Sequence, residues 1–150
     1  MNAASLMKPD PITLSPDDSI STAAKFIMAN RYRSLPVVDA DGCFLGVFGV
    51  NCLLKKVLPK AALMDDGLTN VSFIHETLSD LKERFREVEN ESISMCMQRD
   101  IRTLPPDTPL IETLHTLYNN RASIPVVEEG SCKLLGMISY WNVGERILSA

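Results

Sequence analysis

Leu35-Pro36-Val37-Val38-Asp39 and Ile124-Pro125-Val126-Val127-Glu128 are the same short message at two places in one chain. A proline followed by two β-branched valines suits a strand buried on both faces. Working outward from these strands, the two copies align over some fifty residues. Met7 falls on Met97, a shift of 97 − 7 = 90. With that shift Asp10 meets Asp100, Thr13-Leu14 meets Thr103-Leu104, Pro16-Asp17 meets Pro106-Asp107, and Asn30-Arg31 meets Asn120-Arg121. A one-residue slip carries Pro36 onto Pro125, and the register recovers at Leu45-Gly46 and Leu135-Gly136, holding to Leu58 and Leu148. Proline, glycine and apolar residues kept in one order mark an internal repeat.

Each copy reads alike locally. Ile12–Leu14 is a short strand closed by Ser15-Pro16-Asp17. Asp18 and Thr108 stand where a helix N-cap is expected, with Pro109 at the first helical position. Ile20, Ala23, Ala24, Ile27 and Met28, then Leu110, Leu114, Leu117 and Tyr118, recur at helical spacing. The Pro-Val-Val strand follows, then a turn at Asp39-Ala40-Asp41-Gly42 or Glu128-Glu129-Gly130-Ser131. A second strand runs over 44–50 or 134–140, and a closing helix starts near Asn51 or Asn142. The order is β-α-β-β-α, twice. Arg31 and Arg121 are expected at helix C-termini, where a cation meets the negative end of the dipole.

Between the copies, Ile74, Leu78, Leu81, Phe85 and Val88 mark one face of a helix whose other faces carry charge. Such a helix either docks a partner or covers the two-copy core. Ala61–Phe73 is apolar enough to pack, with a turn at Asp65-Asp66-Gly67. The expected division is therefore a first repeat over 1–58, a helical insert over 59–94 and a second repeat over 95–150.

The 150 residues are 45% hydrophobic and 23% charged, a balance typical of a globular chain with a real core. A net charge of −4 argues against a phosphate-neutralising nucleic-acid binder. The first residues lack the apolar stretch of a secretory signal, and the run 43–54 is too short to span a bilayer. Cys43, Cys52, Cys96 and Cys132 form no C-x-x-C pair, and reduced, mostly buried thiols in a cytoplasmic protein are expected. His75 and His115 lie in different elements with no catalytic motif around them. The chain reads as non-enzymatic, a thiol enzyme built on Cys52 or Cys132 being the distant alternative.

The ordered set Ser-Pro-Asp, capped helix, h-P-V-V-D/E and G-h-h-x before a short helix, present twice, resembles the CBS domain, named for cystathionine β-synthase. The resemblance covers the chain outside the 59–94 insert and implies an α+β fold. In it, two β-α-β-β-α repeats, each with a three-stranded sheet and two helices, pack about a pseudo-two-fold axis as a CBS-domain pair. It further implies homodimerisation and two clefts between the copies for adenosine compounds such as AMP, ADP, ATP or S-adenosylmethionine, none of them a required cofactor. The family's ribose contacts come from G-h-x-T/S-x-x-D. Here the second copy reads Gly136-Met137-Ile138-Ser139-Tyr140-Trp141-Asn142, with the hydroxyl kept and the carboxylate replaced by an amide. The first copy reads Gly46-Val47-Phe48-Gly49-Val50-Asn51-Cys52 and lacks both groups. By the family pattern the better cleft takes Ser139 and Asn142 with Ile12, Arg33 and Ser34, Arg33 suiting a phosphate. The weaker cleft takes Arg102, Ala122 and Ser123. Asn142 has an equal claim as N-cap of the last helix. Tyr140 and Trp141 could stack on a base, though core packing or an oligomer contact is the commoner use of such a pair.

Two functional readings follow. One is a regulatory module that senses an adenosine-containing ligand and passes the signal to a dimer, or to a regulated enzyme or transporter. The other is a ligand-independent oligomeric scaffold with vestigial clefts.

Overall fold

A computed structural model describes residues 1–63, 75–120 and 122–149. Ile74, Arg121 and the Asp65-Asp66-Gly67 turn lie outside the described residues. The elements are α1 (Ala3–Leu6), β1 (Lys8–Pro9), α2 (Ile20–Ala29), β2 (Ser34–Val38), β3 (Phe44–Gly49), α3 (Val50–Val57), α4 (Leu78–Val88), α5 (Leu110–Asn120), β4 (Ile124–Val127), β5 (Leu134–Ile138) and α6 (Tyr140–Leu148). Among the described residues 3₁₀ turns add Lys60–Leu63 and Ile93–Met95. This is the expected mixed helix-and-strand fold with a helical insert, the expected first strand of each repeat being reduced to a single bridge, at Leu14 and at Leu104. The Pro-Val-Val segments are the strands β2 and β4, buried through their centres.

The described residues fall into two compact units. One holds 1–15, 36–46 and 99–150; the other holds 16–35 and 47–98. These are not the two sequence repeats, because the repeats exchange their leading segments. In the first unit β1, from the start of repeat one, pairs antiparallel with β5 of repeat two, Lys8 opposite Met137. That sheet has the order β1-β5-β4. Gly136 makes the pairing possible: a Cβ there would lie 2.7 Å from the Lys8 carbonyl oxygen. In the second unit the equivalent bridge is Val47 with Gln98, ninety residues on with the partners exchanged. The parallel bridge Leu14–Val37 recurs as Leu104–Val126, and Asn2–Pro109 recurs as Ser19–Ser92. Ile12–Leu14 is thus no regular strand: Leu14 alone makes a bridge, its N–H donating to the Pro36 carbonyl at 2.9 Å.

The first unit's core gathers Ala3, Leu6, Leu104, Leu117, Ile124, Val126, Ile138 and Val143, with Met7, Leu110, Leu114 and Leu135 packed around it. In the second unit Ile20, Ala23, Ile27, Phe48 and Ile93 are fully buried. On α5 the buried positions are Thr113, Thr116 and Leu117, while Tyr118 points out, so the apolar stripe expected from sequence is offset. The threonines tolerate burial because their hydroxyls donate to the Pro109 and Glu112 carbonyls one turn back, at 2.9 and 2.8 Å. Met28 is likewise exposed on α2.

The cap of α2 moves one residue. Ser19, not Asp18, caps α2, accepting from the Thr22 N–H at 3.1 Å. Pro109, equivalent to Ser19, precedes α5, and the Thr108 hydroxyl instead donates to the Pro105 carbonyl at 2.8 Å. Arg31 lies past the α2 cap with φ 59°, a left-handed residue after the helix rather than a member of its last turn.

Cys43 and Cys132 form a disulfide, Cα atoms 4.7 Å apart, which overturns the expectation of reduced, buried thiols for these two. They occupy matching positions after the two turns. Around them the chain runs antiparallel: the Phe44 N–H donates to the Cys132 carbonyl at 2.7 Å and the Leu134 N–H to the Gly42 carbonyl at 3.1 Å. A pairing of each repeat with its own counterpart cannot be read from Cys spacing. It also withdraws the thiol-based support for a cytoplasmic setting. Cys52 and Cys96 are free.

The insert helix α4 is closed at its N-terminus by a capping box between Thr77 and Asp80. Leu81, Phe85 and Val88 are half-buried and Leu78 is exposed. The helix lies against α3 without burying any residue completely.

Candidate functional site

The chemistry expected at the end of β5 depends on how α6 begins. Strand β5 delivers Ser139, which is the N-cap of α6. Its hydroxyl accepts from the Asn142 N–H at 3.2 Å and donates to Asn142 Oδ1 at 2.6 Å. Asn142 Oδ1 in turn accepts from the Ser139 N–H at 3.2 Å, completing a reciprocal capping box. Asn142 is therefore the third residue of the helix, not its N-cap. The alternatives weighed for Asn142, ligand contact or cap, merge here: its side chain serves the cap from inside the helix. A ligand hydroxyl approaching this pair must compete with the box for the same oxygens.

The neighbouring aromatics separate in role. The Tyr140 hydroxyl donates to the Leu117 carbonyl at 2.7 Å and ties α6 to α5. Trp141 is 82% exposed and takes no part in the core.

In the first repeat the corresponding junction is differently built. Gly49 precedes α3 and offers no side-chain cap. A Cβ at Gly49 would fall 2.5 Å from the Arg33 carbonyl oxygen and 2.6 Å from Ser34 Cβ. The Arg33 carbonyl accepts from the Val50 N–H at 3.1 Å, taking over one of the helix's orphan donors. Arg33 and Ser34 are thus held by their backbone against the start of α3, with both residues exposed. The Cys52 thiol is buried and lies 3.8 Å from the Val47 carbonyl.

Ile12 is 48% exposed. Arg102 is exposed and Ser123 half-buried. The structure brings Ser139 and Asn142 together by direct bonds, and Arg33 and Ser34 together around Gly49. Ile12, Ser139, Asn142, Arg102 and Ser123 belong to the first unit, and Arg33 and Ser34 to the second. Both histidines are exposed; His115 Nε2 lies 3.1 Å from Asn119 Nδ2 on its own helix. Among the described residues no cluster of His, Cys, Asp or Glu could hold a metal ion, and no helix is long and apolar enough to cross a membrane. Sequence reasoning missed the Ser139 cap, although Ser followed three residues later by an amide has the spacing of a capping box.

The CBS domain model matches the chain twice, over residues 3–59 and 91–148. The chain belongs to the CBS domain family. This CBS pair is 40% identical over 42 residues to the chloroplastic CBS domain-containing protein CBSX1 of Arabidopsis thaliana, a stretch covering 28% of this chain and 18% of that protein. It is 24% identical over 147 residues to a homoserine O-acetyltransferase of Methanococcoides burtonii, covering 97% of this chain and 24% of the enzyme. The matches therefore span about a quarter or less of these relatives' lengths. Among solved structures, CBSX2 of Arabidopsis thaliana in complex with AMP superposes with a TM-score of 0.68 at 18% identity, covering 98% of this chain and 96% of that one.

Proposed function

We propose that this CBS pair is a non-catalytic regulatory module that senses an adenosine-containing nucleotide such as AMP, ADP or ATP, or S-adenosylmethionine. In this reading Ser139 and Asn142 take the ribose hydroxyls, Ile12 and Ser34 contact the base side, and Arg33 meets the phosphate. Arg102 and Ser123 serve a weaker second site. The observation that carries the reading is the Ser139–Asn142 pair, a hydroxyl and an amide oxygen brought together at the head of α6, where the family pattern expects the ribose contacts. CBSX2, a structural neighbour, is solved with AMP. The division into repeats at 1–58 and 95–150, with an insert at 59–94, belongs to the same proposal. So does a homodimer in a cytoplasmic setting, acting on a separate enzyme or transporter. Exposed Ile111, Tyr118, Trp141, Ile147 and Leu148 on α5 and α6 support the dimer.

A ligand changes a regulated state only through differential affinity, so binding must first be measured and then linked to assembly. Thermal unfolding with each compound is the first test. A ligand at a hundred times its dissociation constant adds about 2.7 kcal/mol, and Ser139→Ala or Arg33→Ala should erase that shift. If no compound moves the transition, the sensing reading fails.

That outcome would favour the second reading, a ligand-independent scaffold. Its supporting observation is that Ser139 and Asn142 already satisfy each other, while the first repeat's junction is closed by the Arg33–Ser34 backbone against Gly49.

A further inference from the structure

Within the second unit lies a cavity of about 480 Å³, formed by the end of α3, the Lys60–Leu63 turn, α4 and the chain at Met95–Cys96. This volume falls in the range of small-molecule pockets. Among the described residues its wall carries four cations, Lys55, Lys56, Lys60 and Arg84, and no carboxylate. Two of the cations are committed. Arg84 is ion-paired with Glu76 and donates to the Val57 carbonyl at 3.1 Å, and Lys56 lies 3.8 Å from Glu91. Lys55 and Lys60 are exposed and have no ion pair among the described residues.

The helix dipole accounts for only part of this. Lys55 and Lys56 sit in the last turn of α3, where cations are favoured, but Lys60 and Arg84 come from other elements. Arg84 and Lys56 are offset by Glu76 and Glu91, so it is Lys55 and Lys60 that stand beside the hollow without an ion pair among the described residues, and an anion there gains Coulomb energy from both. The remaining wall is apolar, with Leu58, Leu63 and Val88 among its members. Burial, followed by the nearby Cys52, pushes the Cys96 thiol up to about 11, so at neutral pH it stays an uncharged part of the wall.

We infer that this cavity binds an amphipathic anion, a small molecule whose carboxylate or phosphate head is held by Lys55 and Lys60 while its apolar body lies against Leu58, Leu63 and Val88. The site is independent of the adenosine reading, since it shares no residue with it. Octanoate and mono-octyl phosphate are the probes, with octanol and inorganic phosphate as half-ligands, titrated into the ¹⁵N-labelled 150-residue chain. At least one octyl anion is expected to bind saturably, with amide shifts confined to 55–63 and 84–96. Which of the two binds tells carboxylate from phosphate. Octanol and inorganic phosphate should each bind at least tenfold more weakly. The exposed double variant Lys55→Gln/Lys60→Gln should weaken the octyl anion at least tenfold with its circular dichroism unchanged, and Ser139→Ala should leave it untouched. The inference is overturned by no saturable binding of either anion, by octanol binding as well as the anions, by undiminished binding in the double variant, or by shifts mapping elsewhere.

Discussion

The heads of α3 and α6 are the same place in two copies of one repeat, yet they solve the same problem with opposite means. Each helix must satisfy its first backbone N–H groups. At α6 this is done by side chains, through the reciprocal Ser139–Asn142 box. At α3 it is done by main chain: the Arg33 carbonyl takes the Val50 N–H, and Gly49 leaves room for that strand to come close. The lesson is that the loss of hydroxyl and carboxylate from the first repeat goes together with a tighter packing of its own backbone. A polar pair can serve a ligand only where the helix head is not already closed by a neighbouring strand.

The largest expected effect lies where the copies are alike rather than different. Cys43 and Cys132 cross-link matching positions 89 residues apart, so opening the bridge releases a long loop in the unfolded chain. In the chain-entropy picture Cys43→Ser should cost about 4.6 kcal/mol, read by urea unfolding under non-reducing conditions. An unchanged midpoint would show that the pairing contributes nothing to holding the repeats together. Next comes Gly49→Ser, which writes the second repeat's residue into the first. The added Cβ meets the Arg33 carbonyl oxygen at 2.5 Å, so a destabilisation of about 1–3 kcal/mol is expected rather than a gain of a cap. If Gly49→Ser instead stabilises the protein, the backbone closure at α3 is not what distinguishes the copies.

The reverse exchange is milder. Ser139→Ala removes an N-cap and should cost about 1 kcal/mol, whereas Ser139→Gly, copying the first repeat, should cost only a few tenths. Comparing both midpoints with that of Asn142→Ala separates the cap from the ligand contact proposed above. The smallest effect concerns the capping box of α4, a third way to head a helix. Hydrogen bonds from the Thr77 backbone N–H, then from its hydroxyl, hold the Asp80 carboxyl below the usual carboxylate range. A carboxylate lowered in the folded state contributes stability above its unfolded pKa of about 3.9 and loses it as pH falls through the folded value. Asp80→Asn should therefore flatten a slight acid-side loss of helix signal while changing little at neutral pH.

Much of this was legible locally. The Pro-Val-Val strands, the turns after them and the helical spacing of α2 and α4 follow from residues within a few positions of one another. The candidate residues Ser139 and Asn142 were legible because a helix start and a ligand motif use the same short spacing. The offset of the stripe on α5 was not, because Thr113 and Thr116 look polar until their hydroxyls are seen returning to the carbonyls one turn back. Asp18 and Thr108 were plausible caps by residue type, but a cap is chosen by where the preceding chain crosses, and Ser19 is the residue bridged to Ser92.

By itself the sequence determined that the chain is a repeat, what each copy contains, and that one copy keeps more ligand-type groups than the other. These are properties of periodicity and side-chain chemistry, which act over short stretches. Only the tertiary structure decided that the copies exchange leading segments, that Cys43 finds Cys132, and that Gly49 is glycine because Arg33 and Ser34 lie against it. Each of those depends on close approach between residues distant in the chain. Backbone hydrogen bonding and steric exclusion at such contacts carry no sequence signature beyond a glycine or a cysteine whose purpose appears once the partner is in place.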